Sequence, residues 1–129
     1  GGVDIAAIHR ARRFFGAGRC LDGGGSLTII ATVLTDTAHD VDEVLQQEVQ
    51  GTANGELRID AALVEGDVWP AIDVRSTFTR SVERLVGAAA ADELRDFRRT
   101  LPFDRREAVQ SAVDWLKAQS AAAGMEQAG

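Results

Sequence analysis

The alternation of apolar and polar residues predicts three elements in the first half of the chain. After Asp4, which is suited to cap a helix, apolar residues recur at helical spacing and predict a helix that ends near Gly16. Residues 26–34 are apolar at nearly every position and rich in Ile, Val and Thr. That pattern is typical of a strand buried on both faces of a parallel sheet. An apolar face after Asp40 predicts a second helix, ended by Gly51.

The second half combines short strand patterns with helices. Residues 56–60 alternate between polar and apolar and predict a strand, and residues 71–74 and 76–79 predict two more short ones. Helical spacing returns over residues 92–100, and Asp104 is placed to cap a last helix whose end frays within the small, polar tail. Helices interspersed with strands indicate an α/β fold.

Composition narrows the class of protein only slightly. The 129 residues suffice for one domain, and a single Cys excludes an internal disulfide framework or a Cys-based metal cluster. The longest apolar run, residues 27–34, is too short to span a bilayer, and nothing resembles a signal peptide, so we expect a cytoplasmic protein. The chain opens on Gly1 and has no initiating Met, which we interpret as a piece of a longer polypeptide.

Negative charge is concentrated in the middle of the chain. The net charge is −6, and residues 38–74 hold nine acidic residues against one basic residue, Arg58. Contacts to phosphates require Lys and Arg, so this segment is a poor candidate for a nucleic-acid surface.

The glycines and histidines carry no motif of known chemistry. The sequence contains no G-x-x-x-x-G-K-[ST] phosphate loop, and the glycines of residues 16–18 and 23–25 are interpreted as turns. His9 and His39 are thirty residues apart without a metal-ligand pattern, which favours structural or surface roles.

Three other residues are candidates for binding chemistry. Asp36 follows the apolar strand, at the kind of strand end where ligands of α/β proteins bind, although an ordinary loop acid is the favoured interpretation. Arg80 follows a short strand and can reach an anion such as a phosphate on a neighbouring subunit, or it is a surface charge. Trp69 is placed rigidly before Pro70 and is a ligand contact or a core aromatic.

Several segments resemble the Rho family of transcription termination ATPases. The likeness needs no gap from residue 1 to about residue 85, and beyond that it is a likeness of helix pattern alone. Its most specific part is the strand GGSLTIIAT at residues 24–32. The other matching segments are GGVD at 1–4, RFFGA at 13–17, GTANGEL at 51–57, PAID at 70–73, and Thr79–Arg80.

The resemblance implies a fold and an activity. The fold is α/β, the C-terminal half of a RecA-like P-loop ATPase core (residues 1–86) with a helical C-terminal segment (residues 87–129). The activity is that of a hexameric, ATP-dependent RNA helicase that terminates transcription. Identical subunits and RNA are its partners, and RNA polymerase is a further candidate. ATP and Mg²⁺ are bound mainly by residues upstream of this sequence, so the chain alone is not expected to be active.

The resemblance also assigns roles to individual residues. Arg80 falls on the catalytic arginine finger, which reaches ATP bound by the neighbouring subunit. Trp69 falls on the aromatic that stacks on adenine. The end of a pore loop that contacts RNA corresponds to Gly1, Gly2, Val3 and Asp4.

The chain departs from the family at basic positions. Asp40 and Gln50 stand where the family has Lys, and Gly66–Asp67 replaces a basic pair. The finger loop reads RSTF at residues 75–78 in place of NRSG. Two hypotheses follow: a segment of an RNA translocase, or a diverged paralogue that serves ring assembly or regulation without moving RNA. A rotary or secretion ATPase is a third, which the GGSLTIIAT strand argues against.

Overall fold

Helices dominate the computed structural model, which describes residues 5–35, 37 and 39–126. The chain divides into two compact units, Gly1–Asn54 and Gly55–Gly129. The boundary expected between residues 86 and 87 stays a prediction, as does the RecA-like core. The described residues combine α-helices with small two-stranded sheets, which is compatible with the α/β class.

The first unit contains two helices and a hairpin. Helix α1 spans Ile5–Phe15 and helix α2 spans Asp40–Thr52, each within a residue or two of its prediction. Between them, β1 (Arg19–Cys20) pairs antiparallel with β2 (Ser26–Leu27). The turn of the hairpin contains Gly24 and Gly25 at φ of 94° and 90°, which glycine adopts without strain.

The strand predicted over residues 26–34 is reduced to Ser26 and Leu27, and the parallel pairing and burial on both faces expected for it are wrong. Only Ser26 and Leu27 pair, and they pair antiparallel with β1. Residues 28–35 are irregular, and Ile30 is 90% exposed. A strand inside a covered parallel sheet needs a paired strand along each edge and a layer of helices over each face. Within the described residues of this unit, β1 is the single segment that pairs with it.

The second unit is built from a small antiparallel pair and four helices. Strand β3 (Gly55–Glu56) pairs with β4 (Phe78–Thr79), and Ile59 forms one further bridge with Ile72. The strands predicted over residues 56–60 and 71–74 are therefore reduced to β3 and this bridge. The helices are α3 (Ala61–Glu65), α4 (Glu83–Val86), α5 (Ala88–Thr100) and α6 (Arg105–Glu126).

A small apolar core joins helix α6 to the strand-bearing part of this unit. Leu63, Ala71 and Val109 are buried together, with partly buried valines around them. Phe97 of α5 stacks on Trp115 of α6, with ring centroids 4.7 Å apart. The C-terminal helices therefore pack as part of this unit. Helix α6 also continues to Glu126, further than the fraying expected from its small residues.

Candidate functional site

Arg80 lies at the turn between a paired strand and a helix. Thr79, the residue before it, pairs with Gly55, and Ser81, the residue after it, has a φ of 48° in the left-handed region. The Ser81 carbonyl oxygen accepts a hydrogen bond from the Arg84 N–H at 2.9 Å, which leads the backbone into α4. Arg80 as a whole is exposed to solvent.

The loop before Arg80 is hydrogen-bonded within itself. The Asp73 Oδ1 atom accepts the backbone N–H groups of Arg75 at 3.0 Å and Ser76 at 3.1 Å. The Thr77 N–H donates to the Asp73 carbonyl oxygen at 3.0 Å, and the Thr77 Oγ1 atom accepts the Arg58 N–H at 3.1 Å. Burial raises the pKa of Asp73, but the hydrogen bonds from Ser76 and Arg75 outweigh it and leave the pKa lowered.

Helix α5 holds the same loop through one arginine. The Arg98 Nη2 atom donates to the carbonyl oxygens of Arg75 at 3.0 Å and Thr77 at 2.8 Å. Arg98 is half-buried, and its guanidinium carries more donors than these two bonds use. The loop is therefore attached to a 13-residue helix by charge-assisted hydrogen bonds.

A second arginine attaches the loop to the connection between α5 and α6. The Arg75 Nη1 atom donates to the carbonyl oxygens of Leu101 at 2.7 Å and Pro102 at 3.0 Å. Its guanidinium carbon lies 4.7 Å from the centre of the Phe103 ring, a cation–π distance. Arg98 therefore attaches the loop to helix α5, and Arg75 attaches it to the connection that follows this helix.

Trp69 lies on a different surface loop of this unit and is 69% exposed. The alternative interpretation of Trp69 as a core aromatic is therefore wrong. The loop that carries it is held at two positions just before Trp69. The Val68 N–H donates to the Leu63 carbonyl oxygen at 2.9 Å, and the Arg106 Nη2 atom of α6 donates to the Gly66 carbonyl oxygen at 2.6 Å. An indole presented this way can stack on a flat ligand.

One cavity lies beside the Arg80 loop in the second unit, and another lies in the first unit. One of about 220 Å³ opens beside the Arg80 loop and α5, lined by Thr77, Phe78, Thr79, Val82, Ala91, Leu94, Arg95 and Arg98. The other, about 570 Å³ and open, lies between α1 and α2, lined by His9, Arg12, Arg13, Gly16, Gly51 and Thr52. His9 therefore lines a cavity beside two arginines. In the second cavity Arg12 is ion-paired with Glu48 at 2.9 Å.

The remaining residues predicted to bind ligands lie outside the described part of the chain. Gly1, Gly2, Val3 and Asp4, predicted to contact RNA, lie outside the described residues, and so does Asp36. Over the described residues, no group of three or more His, Cys, Asp or Glu side chains could hold a metal ion. No helix in the described part of the chain has the length and apolarity that a membrane crossing requires.

Comparison with known proteins decides the family. No family model matches the chain. The transcription termination factor Rho of Bacillus subtilis is 48% identical over 101 residues, which is 78% of this chain and 24% of that protein. The Rho factor of Haemophilus influenzae is 44% identical over 117 residues, 90% of this chain and 28% of that protein. The Rho factor of Streptomyces lividans is 42% identical over 118 residues, 91% of this chain and 17% of that protein.

Over this segment, the chain belongs to the Rho family. It spans between 17% and 28% of the length of these three curated Rho proteins. The matches to the Streptomyces and Haemophilus proteins extend over about nine tenths of the chain, so the similarity continues beyond residue 85 and includes part of the C-terminal helices.

The resemblance to Rho indicated Trp69 and Arg80, but it did not indicate the arginines that hold their loops. Arg98 and Arg106 were missed, because a surface charge and an anchoring charge look alike in sequence. A signal for Arg98 was nevertheless present. It follows the inward-facing Leu94 by four residues, and residues at that spacing share one face of a helix.

Proposed function

We propose that this chain is a segment of a Rho-type, ATP-dependent RNA helicase that works as a hexameric ring, and that it supplies the arginine finger and the adenine-stacking aromatic. The observation that carries the proposal is the 42–44% identity to Rho factors over about nine tenths of the chain. The exposure and attachment of Arg80 and Trp69 support it.

Arg80 has the properties that a finger requires. Its guanidinium is permanently charged and presents a planar set of donors that matches phosphate oxygens. The strand pair, the internal hydrogen bonds and Arg98 fix the backbone before it. A donor that is already in position when charge develops on the transferred phosphoryl group loses little energy to reorganisation. Arg80 would therefore stabilise negative charge on ATP held by the neighbouring subunit.

Trp69 fits the other end of the nucleotide. Its exposed indole offers a flat apolar face on which a base can stack. The polar edge of the stacked base can still form hydrogen bonds with solvent. The hydrogen bond from Arg106 to Gly66 fixes one end of the loop on which Trp69 lies. Trp69 would therefore contribute to ATP affinity more than to turnover.

We assign ATP and Mg²⁺ mainly to residues outside this sequence. The chain has no phosphate-loop motif, while an exposed Trp and an exposed Arg fit the base and the phosphates of a nucleotide held elsewhere. When bound, Mg²⁺ neutralises charge on the phosphates. A finger that acts on a neighbour's nucleotide requires adjacent subunits, which identical copies in a closed ring provide. We further propose RNA and RNA polymerase as partners, and the cytoplasm as the location.

An alternative function is a ring-assembly or regulatory paralogue that does not translocate RNA. The observation that favours it is charge. Asp40 begins helix α2 and Gln50 lies in its last turn, where the resemblance expects Lys. A segment with nine acidic residues and one basic residue repels the phosphates that a translocase must grip.

The finger assignment is tested by Arg80→Ala in the full-length protein. We expect kcat for ATP hydrolysis to fall by about 10³-fold or more, with ATP affinity largely kept, because fingers act on the transition state. Arg84→Ala, an exposed arginine on α4, is the matched control and should leave kcat unchanged. Rings that mix Arg80→Ala subunits with subunits unable to bind ATP should regain activity, since the finger acts between subunits. Unchanged turnover in Arg80→Ala would refute the assignment.

A further inference from the structure

The three arginines near the end of helix α5 have different partners. Arg95 pairs with Asp92, and Arg99 pairs with Asp96 at 2.8 Å, each three residues back on the same helix. Both side chains are more than half exposed, and exposed pairs of this kind contribute little to stability. Arg98 instead donates to main-chain oxygens that lie 21 and 23 residues away in sequence.

The position of these two oxygens matters for Arg80. The carbonyl groups belong to Arg75 and Thr77, and strand β4 begins at the next residue, Phe78. Thr77 is also held on its other side, through its Oγ1 atom, by the Arg58 N–H. The path from α5 to Arg80 is therefore one hydrogen-bonded residue followed by a two-residue strand paired with β3.

We propose that Arg98 is a positioning residue that fixes the Arg80 loop on helix α5, so that the finger meets its phosphate in the reactive geometry. The inference rests on the proposed function of Arg80. Loss of Arg98 leaves the Arg80 guanidinium intact but removes the charged donor that orders the two carbonyl groups behind it. Small displacements of a reacting group cost as much as about 10²-fold in rate, so we expect turnover to fall by about 10- to 100-fold.

The experiment compares Arg98→Ala with Arg99→Ala in the full-length protein. The two variants remove the same side chain from adjacent positions of one helix, and only Arg98 contacts the loop. Arg98→Ala should lower kcat by about 10- to 100-fold with KM for ATP changed less than about twofold, whereas Arg99→Ala should retain wild-type kinetics. Arg98→Lys should recover part of the lost kcat, because an ammonium group still donates to carbonyl oxygens.

A double variant separates positioning from general damage. If Arg98 acts through Arg80, then adding Arg98→Ala to Arg80→Ala should lower kcat less than about twofold further, since the finger is already absent. Multiplication of the two single effects would show that Arg98 acts elsewhere and would overturn the proposal.

Hydrogen exchange provides a measurement that does not depend on activity. Amides of residues 73–80 should exchange faster in Arg98→Ala than in Arg99→Ala, while those of α6 stay unchanged. Equal exchange in the two variants overturns the proposal, whatever the kinetics. If Arg80→Ala itself leaves turnover unchanged, the proposed function fails, and the exchange rates still decide whether Arg98 holds the loop.

Discussion

Asp60 connects three parts of the second unit, and its replacement tests how that unit is held together. The Asp60 Oδ1 atom accepts the Ala62 N–H at 2.9 Å and caps helix α3. The Oδ2 atom accepts a hydrogen bond from Arg105 of α6 at 2.7 Å. The Asp60 N–H donates to the Ala71 carbonyl oxygen at 3.0 Å, a bond that no side-chain change removes.

Two substitutions separate the cap from the ion pair. Asn caps helices about as well as Asp, so Asp60→Asn keeps the cap and loses the ion pair, both its charge and the Oδ2 acceptor of the Arg105 hydrogen bond. The Arg105 side chain is 60% exposed and that of Asp60 10%, so the pair contributes at most about 0.2–1 kcal/mol after solvent screening. Asp60→Ala loses the cap as well, which costs about 1 kcal/mol more. We expect a free energy of unfolding lowered by about 0.5 kcal/mol for Asn and about 1–2 kcal/mol for Ala.

Urea unfolding followed by tryptophan fluorescence measures both values. Both tryptophans of the chain, Trp69 and Trp115, lie in the second unit, so the signal reports on this unit alone. Asp96→Asn is the matched control, because it removes an ion pair whose partners are each 72% exposed, and it should change stability very little. If Asp60→Asn destabilises as much as Asp60→Ala, the cap contributes nothing and the reasoning is wrong.

Three further predictions follow from the sites. Trp69→Ala in the full-length protein should raise KM for ATP by about 5- to 150-fold, the equivalent of 1–3 kcal/mol of stacking, with Trp69→Phe close to wild type; an unchanged KM contradicts the stacking role. Asp40→Lys should raise RNA-stimulated ATPase activity, unless RNA already stimulates the unmodified protein fully, in which case the hypothesis of lost RNA contact is wrong. Because hydrogen bonds from Ser76 and Arg75 leave the pKa of Asp73 lowered, its carboxylate stabilises the fold above its ordinary pKa of 3.8. That contribution is lost as the pH falls below 3.8. The difference in free energy of unfolding between wild type and Asp73→Asn should therefore become smaller there in acid unfolding experiments. A difference that does not change with pH contradicts this prediction.

Local signals in the sequence predicted the helices well. Asp104 caps helix α6 as expected, and its Oδ1 atom accepts the Glu107 N–H at 3.0 Å. Helix α5 begins four residues before the predicted start at residue 92, and α4 was not predicted. Gly87, with a φ of 84°, separates these two helices, and one glycine was too weak a signal to reveal both sides of the break.

Strands were harder to predict because their pairing is not local. The apolar composition of residues 26–34 indicated burial, but composition does not identify the strand with which a segment pairs. Residues 28–35 are irregular in the structure. The candidate site shows the same difference. Trp69 and Arg80 were recognisable from their positions in a family pattern, whereas Arg98 acts through contacts with residues more than twenty positions away.

The bonds from Arg98 have an evolutionary consequence, because both of their acceptors are main-chain oxygens. A main-chain carbonyl is present whatever side chain the residue carries. Through Arg98, helix α5 therefore holds residues 75 and 77 by bonds that do not depend on which side chains those residues carry. The sequence RSTF at residues 75–78 stands where the resemblance expects NRSG, and the two bonds from Arg98 are compatible with either sequence. The proposed positioning role therefore predicts that relatives which keep an arginine at the position of Arg80 also keep one at the position of Arg98, whatever residues they carry at positions 75 and 77.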